Sequence, residues 1–158
     1  RAVSRAVEEL RHDELTRGFQ KRETFERFAA DVAATRTNLM TLLDRLRAEG
    51  RKVAGYGASG RANTIIQYCG ISSEHMAYMI DDAPAKIGFH TPGSHFLIKP
   101  SSVLAEPDAP DFIVVFAWSF LDEIARRNRA YLDRGGRMIV PLPEVKEISS
   151  AINPSHAQ

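Results

Sequence analysis

One cysteine, one tryptophan and no long apolar run are the first facts about these 158 residues. A single thiol, Cys69, excludes an internal disulfide framework and a zinc site built from cysteines alone. The longest uninterrupted apolar stretch, Phe112 to Trp118, is far too short to cross a bilayer. Charge of one sign is lacking too: 21 Lys and Arg stand against 20 Asp and Glu, a net of +1. Nucleic acid and anionic membranes both demand a basic excess, so neither is an expected partner. No signal peptide is visible, which makes a reducing cytoplasm the expected location. The chain opens on Arg1 rather than Met, as a piece of a longer protein would.

Glycine is scarce in the first third. Residues 1–50 hold 10 basic and 9 acidic residues and only Gly18 and Gly50, whereas the remaining 108 residues hold 11 of each sign and eight glycines. This shift divides the chain into a helical segment, 1–50, and a packed domain with turns, 51–158. In the front segment Val3, Val7, Leu10 and Leu15 mark one helix. Phe25, Phe28, Val32, Thr35, Leu39, Leu42 and Leu46 then step by three and four residues, a heptad seam broken only by Thr35 and stopped at Gly50. Such a seam serves a coiled coil or a long helix lying on a neighbouring domain; the second is expected here, with Phe25, Phe28, Leu39 and Leu42 buried.

Behind Gly50 the period changes. Strands are expected at 53–56, 76–80, 96–98, 112–117 and 138–140, the last stopped by Pro141. Helices are expected at 61–69, ended by Gly70, at 101–105 after Pro100, and at 120–132 with Gly135-Gly136 as the exit. The stretch 112–117 is continuous, aromatic and β-branched, the composition of a strand buried on both faces. Strands alternating with helices imply an α/β fold: a Rossmann-like, doubly wound, mostly parallel sheet with helices on both faces, preceded by the helical segment.

The first strand-to-helix turn reads Gly55-Tyr56-Gly57-Ala58-Ser59-Gly60, a G-x-G-x-x-G between a strand and a helix. In such a turn Gly55 would allow the tight bend, Gly57 the approach of a ligand, and Gly60 close packing of helix on strand. The exposed N–H groups and positive helix end favour a phosphate or diphosphate; the competing reading is a glycine turn with no ligand. Arg61 opposes the helix dipole unless an anion sits there, or else points to solvent. Asn63 and Thr64 lie in the first helical turn and could add hydrogen bonds. Asp81 falls 21 residues after Gly60, the spacing of an acid that holds a ribose hydroxyl, although Asp81-Asp82 before Ala83-Pro84 is equally good turn chemistry.

Catalytic constellations are few. His12, His75, His90, His95 and His156 show no H-x-x-x-H or H-E-x-x-H spacing, so no metal site is expected. There is no G-x-S-x-G elbow, and Cys69 sits on a core-facing helix position. His95 lies in a loop that could reach a ligand or simply face water. Trp118 ends the strongest strand, at the sheet edge where α/β proteins bind ligands; it could stack on a base or sugar or close the core.

The ten residues from Gly55 to Thr64 resemble the signature of the C-terminal domain of S-adenosylmethionine-dependent sugar C-methyltransferases. The resemblance continues through Asp81-Asp82-Ala83-Pro84-Ala85-Lys86-Ile87-Gly88, Pro92-Gly93-Ser94-His95, the segment 116–124 and Gly135-Gly136-Arg137-Met138-Ile139-Val140-Pro141-Leu142-Pro143, and covers roughly residues 20–148. It departs from the family pattern at Phe96-Leu97 and at Ser119. It implies a nucleotide-sugar-binding domain of an enzyme that deprotonates a dTDP-linked 4-keto-deoxysugar and methylates the resulting carbon. S-adenosylmethionine would be bound by an upstream domain and zinc by a further N-terminal one, with the base upstream as well. No catalytic residue is then expected in this chain, and the fragment alone is expected to be inactive. The residues implied to line the nucleotide-sugar are Gly55, Tyr56, Gly57, Ala58, Ser59, Gly60, Arg61, Asn63, Asp81, Lys86, His95 and Trp118. The partners are that small molecule and the rest of the protein's own chain. Two other functions stay open: an NAD(P)- or nucleotide-binding domain of an oxidoreductase or epimerase, and a non-enzymatic module dimerising through the helix seam.

Overall fold

In the computed structural model, which describes residues 3–150, the first helices are α1 (Arg5–Thr16) and α2 (Arg22–Ala48). A helix of 27 residues is about 40 Å long, whereas a four-residue strand spans about 13 Å. The chain divides into two compact units inside α2, between Ala34 and Thr35. In the first unit α1 buries no residue, and Phe25 and Phe28 are 59% and 67% exposed. The expected burial of these two phenylalanines is therefore corrected: of the seam only Leu39 and Leu46 are buried, Val32, Thr35 and Leu42 are half-buried, and Leu43, which is not part of the expected seam, is buried beside them. Gly50 ends the helix with φ +68°, the left-handed conformation expected of it.

The second unit is built on strands β1 (Val53–Tyr56), β2 (Met79–Ile80), β3 (Ile98–Lys99), β4 (Phe112–Val115), β5 (Arg137–Val140) and β6 (Lys146–Ile148), in the order β3-β2-β1-β4-β5-β6. All neighbours are parallel except β5 and β6. The helices are α3 (Gly60–Cys69), α4 (Leu121–Arg127) and α5 (Arg129–Asp133). Strand periodicity assigns the faces. Val53, Met79, Val114 and Ile139 join Leu39, Leu43 and Leu46 of α2 and Ala62, Ile66 and Cys69 of α3 in one core. Ala54, Tyr56, Ile80, Ile113, Val115 and Met138 join Leu121, Ile124 and Ala125 of α4 and Tyr131 and Leu132 of α5 in the other. The expected α/β fold, Rossmann-like with helices on both faces, is what the chain forms.

The strands expected at 96–98 and 112–117 are Ile98–Lys99 and Phe112–Val115, the helix expected at 101–105 is a 3-10 turn, and three further differences have a clear local cause. The strand expected at 76–80 is reduced to β2, because Met76 and Ala77 turn in from the loop after α3, where Met76 bonds back to Ser72. The helix expected at 120–132 breaks at Asn128, whose side chain donates to the Ile124 carbonyl and competes with the helical ladder. Beyond Pro141 the chain returns as β6 on β5, an antiparallel strand of partly exposed, charged residues that carries little apolar signal.

Candidate functional site

Strand order reverses between β1 and β4, since the chain moves outward from β1 to β2 and β3 before returning to β4. The crevice at the carboxyl ends of these two strands is where an open α/β sheet presents loops to a ligand. The loop leaving β1 there is the glycine turn, and its three glycines have different surroundings. A Cβ on Gly55 would strike the Met79 thioether and the Phe116 ring, so this glycine serves sheet-face packing. Gly57 has φ +93°, and a Cβ there would lie 2.8 Å from that of Ala117, just past β4. Its N–H donates to the Ile80 carbonyl at 2.7 Å, which locks the turn to β2. Around Gly60 nothing lies within 4 Å. Gly60, expected to let helix pack on strand, instead faces open space at the start of α3.

Ser59 caps that helix: its Oγ accepts the Ala62 N–H at 3.3 Å, and its carbonyl accepts the Asn63 N–H. The N–H groups of Ala58, Gly60 and Arg61 find no acceptor among the described residues. These are the donors that a helix N-terminus offers to an anion. Asn63 holds a further unsatisfied atom: its Oδ1 is buried with no hydrogen-bond partner. Turned over, the same amide would present its NH₂ donors.

Around the turn lie four more of the expected residues. Arg61 reaches across to the segment after β4, where its Nη1 donates to Ser119 Oγ at 3.0 Å and its Cζ lies 5.0 Å from the centroid of Trp118. Trp118 is half-buried under this guanidinium. Lys86, from a 3-10 turn at Pro84–Lys86, donates to the Ala58 carbonyl and to Asp81 Oδ2, both at 2.9 Å. Asp81 is buried, and its other oxygen accepts the Ala83 N–H at 2.9 Å. Both carboxylate oxygens are therefore engaged in turn chemistry and in holding Lys86. His95 is not brought to the site. It is exposed in the 90–97 hairpin that leads into the amino end of β3, whereas the glycine turn leaves the carboxyl end of β1.

Tyr56 points to the other face. Its hydroxyl donates to Asp82 Oδ2 at 2.6 Å, and Arg127 of α4 pairs with the same oxygen at 3.2 Å. Burial and the hydrogen bond to Asp82 push the Tyr56 hydroxyl up to about 12. Burial alone would raise the Asp82 carboxyl, but hydrogen bonds from Ser101 and Tyr56 and the Arg127 guanidinium outweigh it, leaving Asp82 below the usual aspartate range. With Gly57, Ala117, Phe120, Glu123 and Ile124 these residues line a cleft of ≈ 190 Å³ at the strand switch. A second depression of ≈ 440 Å³ adjoins it over Trp118 to Glu123. Sequence reasoning missed Asp82, Arg127, Ser119 and Glu123. Asp82 carried a signal in the Asp81-Asp82 pair; the other three read as ordinary polar residues around a helix start.

Among the described residues no group of three or more His, Cys, Asp or Glu side chains is placed to hold a metal ion. No helix among them is long and apolar enough to cross a membrane. Residues 1–143 match the family described as C-methyltransferase C-terminal domain. The chain is 32% identical over 148 residues to the C-methyltransferase NovU of Streptomyces niveus, a match covering 94% of this chain and 35% of that protein. It therefore spans about a third of the length of this curated relative. Strand switch, glycine turn and family match agree, and the chain belongs to the C-methyltransferase C-terminal domain family.

Proposed function

We propose that this chain is the nucleotide-sugar-binding domain of an S-adenosylmethionine-dependent C-methyltransferase that acts on a dTDP-linked 4-keto-deoxysugar. The observation that carries the reading is the cluster of unpaired Ala58, Gly60 and Arg61 N–H groups at the start of α3, with the Arg61 guanidinium beside them. Such a cluster suits a diphosphate, which accepts from backbone amides and from arginine at once. Gly60 leaves the open space that a phosphate requires.

The same residues do not suit S-adenosylmethionine. That cofactor carries a sulfonium cation and no phosphate, and the turn is flanked by the cations Arg61 and Lys86. Asp81, the residue at ribose-binding spacing, is already held by Ala83 and Lys86, which weighs equally against a dinucleotide. We therefore assign the methyl donor, the zinc and the catalytic base to other parts of the protein. This domain's contribution is to bind and orient the sugar nucleotide.

Titration calorimetry with thymidine, dTDP and a dTDP-sugar tests the reading. Arg61→Ala should weaken both phosphorylated ligands by roughly 1.5–3 kcal/mol, the worth of a charged hydrogen bond, and leave thymidine unchanged. Equal dTDP affinity in the two proteins would move the anion site elsewhere. Incubated with S-adenosylmethionine and a dTDP-4-keto-6-deoxysugar, the chain alone should form no S-adenosylhomocysteine above blank.

A further inference from the structure

An arginine on a surface helix normally samples many rotamers and loses that freedom when it grips an anion. Arg61 has largely lost it already. Ser119 Oγ takes one of its N–H groups, and the indole of Trp118 supports the guanidinium plane at 5.0 Å. Both contacts come from the turn that follows β4, across the strand switch from the helix that carries Arg61. The two turns keep a fixed spacing because Gly57 lies directly against Ala117, the residue before Trp118. The cation is thus held by the neighbouring strand's loop rather than by its own helix.

We propose that Trp118 and Ser119 are positioning residues that hold Arg61 ready for the phosphates of a nucleoside diphosphate, an inference that rests on the anion-binding reading of the glycine turn. Holding the guanidinium beside the positive end of α3 is unfavourable without an anion, and the indole face offsets that repulsion through its negative quadrupole. Because part of the ordering is in place beforehand, part of the entropy otherwise lost on binding is spared. Trp118 accordingly acts on the phosphate end of the ligand through Arg61, rather than as a free platform for a base.

Trp118 is the chain's only tryptophan, so its emission reports on this pair without a label. In the ligand-free protein, Arg61→Ala should change the intensity or wavelength of that emission, and unchanged emission would overturn the pairing. Calorimetry with inorganic pyrophosphate and dTDP then tests positioning. Trp118→Ala should weaken both about threefold to tenfold. Trp118→Phe, which keeps an aromatic face, should restore binding to within about threefold of wild type, and its melting curve serves as the folding control. The double variant Arg61→Ala/Trp118→Ala should bind no worse than Arg61→Ala, because Trp118 acts only through the guanidinium. Additive losses, or full affinity in Trp118→Ala, would overturn the positioning role while leaving the anion site in place. No binding of either probe by the wild type would instead remove the anion site, and the positioning role with it.

Discussion

Helix α2 carries one apolar stripe, and its two halves meet different fates. Leu39, Leu43 and Leu46 are at most 1% exposed and belong to the core of the sheet-containing unit. Phe25 and Phe28, on the same stripe in the preceding unit, are exposed although they are larger. That first unit is held by local chemistry: ion pairs four residues apart, Arg5 with Glu9, Arg17 with Asp13 and Arg22 with Glu26, all exposed. Such pairs contribute about 0.3–0.5 kcal/mol each, whereas burying one large side chain contributes several times that. Periodicity reports that a helix has a face. It does not report whether anything is there to meet it.

Core truncation draws the contrast most sharply. Phe116→Ala empties a fully buried aromatic site between the sheet and its helices and should cost about 3–5 kcal/mol in urea or thermal unfolding. A loss under about 1 kcal/mol would mean that the sheet unit is packed far more loosely than its burial indicates. Next in size is Gly57→Ala, which forces a side chain into the left-handed region and onto Ala117; it should cost roughly 1–3 kcal/mol. Gly60→Ala should leave the melting midpoint nearly unchanged, since nothing crowds that position, yet weaken dTDP binding by filling the open face of the turn. Matching effects of Gly57→Ala and Gly60→Ala on stability would erase the distinction drawn between the two glycines.

What could be read from the sequence follows from how each feature is encoded. β1, α3 and β4 were legible because a continuous apolar run and a Gly stop are both local signals. β6 was not, because an edge strand written Lys146-Glu147-Ile148 owes its place to pairing with β5 rather than to its own apolarity. At the site, the glycine spacing located the turn but misassigned Gly60, since which glycine faces the sheet depends on Met79 and Phe116, far away in sequence. Arg61 and Trp118 were each visible singly. Their stacking joins residues 57 positions apart, and no local pattern announces it. Asp81 was visible as well, but its contacts with Ala83 and Lys86 were not.

A smaller effect distinguishes the two units by pH. Burial, aided by Asp82, raises the Tyr56 hydroxyl to about 12; burial, aided by Asp108, does the same for Tyr78; burial also raises Tyr131. All three belong to the sheet-containing unit. A raised folded-state value favours the protonated form, so this stability is complete below the ordinary tyrosine value of 10.0 and is lost as pH climbs through about 12. The urea midpoint of the sheet unit should therefore hold up to about pH 10 and fall above it. In Tyr56→Phe the fall should be shallower. An alkaline slope identical to wild type would mean that the Tyr56 hydroxyl ionises as freely in the folded chain as in the unfolded one.

The smallest expected effect is the most informative about the exposed stripe. Phe25→Ala and Phe28→Ala, alone or together, should shift the melting midpoint by less than about 0.5 kcal/mol equivalent, the range of surface substitutions. Alanine is also the better helix former, so α2 should keep its helical signal in circular dichroism. A drop of several kcal/mol would instead show that the two rings are covered in solution. Repeating the melt across a hundredfold range of protein concentration then identifies the cover. If the midpoint rises with concentration in the wild type but not in the double variant, a second copy of the chain lies on the stripe, because dimerisation stabilises by mass action. If it is independent of concentration, the cover comes from within the same chain, and the seam continues past Thr35 toward the start of α2.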